Sequence, residues 1–124
     1  MDSHGGALVL AGVLGSGVAI IHGLLVQRFL IRPVQEAPPP VFNAVSHRLL
    51  VALLQFSTFN WFVGGIALVL SAFNFARDAR LATAALVASS YLFGAFGNLW
   101  SIRRPHLGWI LYGVAICLIG YGVT

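Results

Sequence analysis

Residues 91–109 read YLFGAFGNLWSIRRPHLGW. An apolar helix runs into Trp100, a turn carries Arg103, Arg104, Pro105 and His106, and a second apolar helix leaves through Trp109. The bilayer core holds no water to satisfy a bent backbone, so a membrane chain turns outside it, and paired arginines between tryptophans mark the interface. Short cytoplasmic loops carry the excess of Arg and Lys, which assigns this turn to the cytoplasmic surface.

The rest of the chain agrees. It has 124 residues, is 59% hydrophobic and only 8% charged, against about 25% charged in ordinary soluble domains. There is no lysine, and the net charge of +4 rests on seven arginines set against Asp2, Glu36 and Asp78. The arginines stand in short clusters at helix ends, a distribution that speaks for topology and lipid headgroups. Nucleic acid would need an extended basic surface, and is excluded as a partner. The single cysteine, Cys117, has no intrachain partner, which excludes paired-cysteine redox chemistry within one chain.

Hydrophobic runs predict an all-α integral membrane protein: one domain, residues 1–124, forming a compact antiparallel bundle of four transmembrane helices over about 7–31, 49–75, 81–102 and 107–123. The first run lacks the basic start and cleavage site of a secretory signal and is read as a retained span. Small residues recur at spacings of three and four in each span: Gly12, Ser16, Ala19 and Gly23; Ser57, Asn60, Gly64, Ala67 and Ser71; Ala84, Ala88, Tyr91, Ala95 and Asn98; Gly113, Cys117 and Gly120. Such stripes let helices approach closely in lipid, where hydrophobicity alone does not drive association. The loop 32–46 carries Pro38 to Pro40, which cannot continue a helix, and Asn43 or Ser46 is placed to cap the second helix. Residues 74–80, NFARDAR, make a short second connection, so the second and third helices should be antiparallel neighbours. Arginines 28, 32, 48, 103 and 104 fall on one side and 77 and 80 on the other. Both termini are therefore expected outside the cytoplasm, in a membrane of the bacterial inner (plasma) type.

Ionisable groups inside a span are costly, which singles out His22. It lies ten residues before Arg32, roughly 15 Å below the interface at ~1.5 Å per residue. The same count puts Thr58, Asn60 and Tyr91 about 15 to 18 Å deep, so His22, Thr58, Asn60 and Tyr91 form a candidate polar layer. Two readings apply: a site for a proton, a quinone-like headgroup or a cofactor, or an interhelical hydrogen-bond network in which a neutral histidine has a partner for each nitrogen. His47 and His106 sit at span ends, far from His22 in depth. That disfavours bis-histidine haem and any three-histidine metal centre, and leaves single-histidine haem open. A second group, Arg48, Asn98, Arg103, Arg104 and His106, joined by His47, Ser101 and Tyr112, gathers near the cytoplasmic surface. Its arginines suit an anionic lipid phosphate, or they carry the topology signal beside an aromatic belt of Trp100 and Trp109.

No catalytic set, nucleophile motif or paired carboxylate is present, and the three acidic residues lie outside the spans. The sequence specifies no cofactor. Three classes of function follow: an accessory or structural subunit of a larger membrane complex, a haem- or quinone-binding redox protein using His22, or a homo-oligomeric channel or lipid-handling protein. The expected partners are the lipid bilayer and membrane protein subunits.

Overall fold

The computed structural model describes residues 2–36, 43–103 and 107–124, with the side chains of Ser101 and Ile102 left aside. All the described secondary structure is helical. Helix α1, Ser3–Val26, continues through a π turn, Gln27–Ile31, into α2, Arg32–Glu36. Then come α3, Ala44–Asn74, α4, Arg77–Ile102, and α5, Leu107–Gly122. The prolines 38 to 40, with Val41 and Phe42, lie outside the described residues, as do Arg104, Pro105 and His106.

Local chemistry sets the ends. The Asp2 carboxylate accepts the Gly5 N–H at 2.8 Å and starts α1, and this bond holds the carboxyl below its usual range. Asn43 accepts the Ser46 N–H at 2.8 Å and starts α3, which decides between the two expected caps. The second connection is tighter than the sequence suggests: only Phe75 and Ala76 separate α3 from α4, both with extended ψ. Arg80 makes this possible. Its Nε donates to the Ser71 carbonyl at 3.1 Å, and its Nη2 to those of Ala72 at 3.1 Å and Phe75 at 3.4 Å. The last turn of a helix has carbonyls without intrahelical partners, and a planar guanidinium reaches several of them together. Arg80→Ala should lower stability in detergent by about 1–3 kcal/mol. Arg80→Lys should recover only part of the loss, because a point charge replaces the fork. Chemical denaturation of the two variants checks the order.

Around the bundle α1 packs on α3 and α5, and α4 packs on the same two helices, with α1–α3 the most extensive seam and α3–α4 the least. The α1 stripe does what its spacing predicts. Gly12, Ser16, Ala19 and Gly23 are all buried. A Cβ on Gly12 would meet the Gly65 carbonyl oxygen, one on Gly23 would come within 2.6 Å of Thr58 Cγ2, and Ser16 Oγ donates to the Phe62 carbonyl at 3.1 Å. On α4, Ala84 and Tyr91 are buried and Ala88, Ala95 and Asn98 half-buried.

Two stripes depart from expectation. Helix α3 meets two neighbours, so its inner surface is wider than one row. Trp61, Gly65, Leu68 and Ser71 are its buried residues, while a Cβ on Gly64 would lie 3.3 Å from Val87 of α4 and Asn60 is exposed. On α5 the row Gly113, Cys117 and Gly120 does not face the bundle: Cys117 and Gly120 are exposed, and a Cβ on Gly113 or Gly120 would meet nothing within 4 Å. The inward row is Tyr112, Ala115, Ile119 and Gly122, because the bundle centre takes the bulk of Tyr112.

The surface is apolar and the interior holds the small and aromatic residues. Phe93 is 80% exposed and Leu86 72%, whereas Tyr91 is 0% exposed and Tyr112 1%. Ser3–Glu36, Ala44–Asn74 and Arg77–Trp100 are each long and apolar enough to cross a membrane, and Leu107–Gly122 is a shorter apolar helix.

Candidate functional site

The bundle centre is an aromatic cluster with His22 at its edge. The His22 ring meets Trp61 edge-on, centroids 4.7 Å apart; Trp61 packs on Tyr112 at 4.9 Å, and Tyr112 on Tyr91 at 4.7 Å. The cluster contains a residue from each of the four helices, α1, α3, α4 and α5. It fits because glycines make room: a Cβ on Gly15 would collide with Tyr91 Oη, and one on Gly94 with the Trp61 ring.

The expected layer of His22, Thr58, Asn60 and Tyr91 is not one network. His22 Nε2 lies 3.0 Å from Ser57 Oγ. Thr58 Oγ1 donates to Gln55 Oε1 at 2.9 Å, and Gln55 in turn donates to the Gly23 carbonyl at 3.2 Å. Asn60 donates to Ser90 Oγ at 2.7 Å, across the α3–α4 seam. Tyr91 Oη donates to the Trp61 carbonyl at 3.3 Å. Helical rotation divides them between two seams, α1–α3 for His22 and Thr58 and α3–α4 for Asn60 and Tyr91.

The Ser57 contacts favour one histidine tautomer. The Ser57 hydroxyl donates to the Leu54 carbonyl at 3.3 Å. A carbonyl can only accept and a hydroxyl has one hydrogen, so Ser57 Oγ accepts from His22 Nε2–H. In the neutral ring Nδ1 then keeps its lone pair. It makes no hydrogen bond among the described residues.

Of the second expected group, Arg48 is exposed and Asn98 half-buried. Arg103 takes left-handed backbone angles, φ 56° and ψ 28°, at the end of α4; its N–H bonds the Leu99 carbonyl at 2.8 Å and its Nε the Trp100 carbonyl at 3.3 Å. Arg103 thus caps its own helix from a conformation that costs a non-glycine residue roughly 1–2 kcal/mol. Arg103→Gly should raise thermal stability modestly, by about 0.5–1 kcal/mol, since the lost side-chain bond is long and exposed. A melting curve in detergent checks it. Arg104 and His106 lie outside the described residues. His47 Nε2 and Tyr112 Oη are buried without a partner among the described residues.

Trp61 escaped the sequence reading as a site residue, and Tyr112 was grouped with the cytoplasmic-side residues instead of the bundle centre. Trp61 had a usable signal: it lies thirteen residues past Arg48, about 20 Å deep, too deep for an interfacial belt. Tyr112 had none, since its spacing matched the cytoplasmic group equally well.

Two cavities flank the cluster. One, about 520 Å³, lies between α3 and α4, open sideways, where Phe56 and Phe93 frame Asn60, Ser89 and Asn98. The other, about 270 Å³, lies between α1 and α5, bordered by His22, Tyr112 and Asn98 amid aliphatic side chains. At the opposite end of the bundle His4 stacks on Tyr121, centroids 4.7 Å apart, with its Nδ1–H donating to the Tyr121 carbonyl at 2.9 Å. This joins the start of α1 to the end of α5. Among the described residues no three His, Cys, Asp or Glu side chains converge as a metal site.

The fold and site define a four-helix bundle with an aromatic, hydrogen-bonded centre, three of whose helices have the length and composition of membrane spans. No family model, curated protein or solved structure matches the chain.

Proposed function

We propose that the protein is an integral membrane protein, with both termini outside the cytoplasm, that serves as an accessory or structural subunit of a larger membrane complex. The carrying observation is the α3–α4 cavity. Asn60 is exposed on its wall, with its amide N–H on Ser90 Oγ and its Oδ1 free of any hydrogen bond among the described residues. Phe56 and Phe93 beside it are 62% and 80% exposed. Lipid tails fill such a groove without satisfying a carboxamide, whereas a transmembrane helix bearing hydroxyl or carboxamide side chains does both. The occupant assigned here is such a helix from a partner subunit. Five arginines at the loop side against two at the other support the orientation.

The test is a photo-crosslinker at position 93, compared with one at Leu10, which is 55% exposed on α1. In native membranes position 93 should give a defined heterologous adduct that Leu10 does not, and Asn60→Leu should abolish it. Adducts only with a second copy of the chain, or identical products from both positions, would overturn the reading.

A further inference from the structure

The α1–α5 cavity has a chemistry of its own, although Asn98 also lines the docking groove. Its volume is about 270 Å³, and among the described residues its lining contains no charged side chain. A phosphate, carboxylate or cation would lie there without compensation in a low-dielectric setting, so the lining selects a neutral molecule. Three polar side chains stand on different helices: His22 on α1, Asn98 on α4 and Tyr112 on α5, the last with its hydroxyl buried and without a partner among the described residues. The tautomer favoured by Ser57 makes Nδ1 of His22 an acceptor, on the far side of the ring from the Ser57 bond. Asn98 offers both a donor and an acceptor. The remaining wall is aliphatic, and at its rim Ile21 and Leu107 are 57% and 68% exposed, so the cavity opens toward the apolar surface. An apolar cavity of about 150 Å³ admits benzene; this one has room for a single substituted ring, and four fused rings are too large.

We propose that this cavity binds the ring of a neutral, membrane-soluble phenolic lipid of the hydroquinone class, its hydroxyl donating to His22 Nδ1, its second oxygen paired with Asn98, and its tail leaving between Ile21 and Leu107. The direction of the first bond is specific. An acceptor at Nδ1 pairs with a hydroxyl and not with a carbonyl, so the reduced ring is favoured over the quinone.

The probe is a short-tailed benzohydroquinone, kept reduced and titrated into the full chain in phosphatidylcholine nanodiscs. Saturable binding of one molecule per chain is expected, with affinity at least tenfold weaker for the matching dimethyl ether, which has the same ring and no hydroxyl. Asn98→Leu should weaken binding about tenfold, and Leu111→Trp, which places a large side chain in the cavity, should abolish it; helical circular dichroism and gel filtration verify that both variants are folded. Non-saturable partitioning, equal binding of the dimethyl ether, or wild-type affinity in folded Leu111→Trp overturns the proposal. A sterol that binds as tightly as the hydroquinone overturns the single-ring assignment. Because neither Leu111 nor the ring hydroxyl touches the α3–α4 groove, failure here leaves the subunit reading to its own test.

Discussion

Gly65→Val is expected to separate α1 from α3 and to leave little folded protein in mild detergent. A Cβ on Gly65 would meet Ser16 Oγ and the Gly12 carbonyl oxygen, with the Ser16 backbone nitrogen at 2.9 Å. The last two are backbone atoms, which no rotamer change removes. Overpacking in a core typically costs ~1–3 kcal/mol because side chains adapt; here the whole α1–α3 seam has to open, so the loss should exceed that range. Gly12 is the reciprocal position, against the Gly65 carbonyl, and Gly12→Val should behave alike. Gly17 provides the control. A Cβ there meets nothing within 4 Å, so Gly17→Ala should leave the melting temperature unchanged or raise it through helix propensity, by up to ~1 kcal/mol. Equal thermal stability of Gly65→Val and Gly17→Ala would show that α1 and α3 do not meet backbone to backbone.

The second large effect belongs to Trp61. Its ring touches His22 and Tyr112, fills the space left by Gly94, and its Nε1–H donates to the Ser90 carbonyl at 3.3 Å. Trp61→Ala therefore removes a side chain that contacts α1, α4 and α5 together. Large aromatic truncations in cores cost ~3–5 kcal/mol. In lipid the transfer contribution shrinks, since tails are as apolar as the core, while the lost dispersion contacts remain. The expected loss is toward the lower end of that range. Tyr112→Phe tests the same cluster with opposite sign. Its hydroxyl is buried with no partner among the described residues, so deleting it relieves an unpaired group and stability should hold or rise. Tyr91→Phe removes a bond to the Trp61 carbonyl and should cost a little. Thermal unfolding of the three variants in one detergent gives the order.

Much of the architecture was legible without coordinates. Four apolar runs separated by arginines, prolines and short polar turns allow few folds, since a lipid-embedded backbone has to satisfy its hydrogen bonds within each helix. The small residues of α1 were readable for the same kind of reason: only Gly, Ser and Ala permit close backbones, and their spacing identifies a face. The α5 stripe shows where this fails. Gly113, Cys117 and Gly120 share a face as surely as Gly12, Ser16 and Gly23 do, and yet it points outward. Periodicity states which residues lie together on a helix; it does not state the rotation of that helix about its own axis.

Rotation is what the tertiary structure decided, and the candidate site depends on it. By itself the sequence determined the helical class, the number of apolar segments and the clusters of positive charge, because each follows from local composition. Tertiary packing decided that His22 pairs with Ser57 instead of Thr58, Asn60 or Tyr91, that Trp61 and Tyr112 occupy the centre, that Arg80 binds the end of α3, and that two separate cavities flank the cluster. Each of these depends on the angle at which one helix presents a side chain to another. One residue along a helix turns that angle by about 100° while changing the depth by only ~1.5 Å.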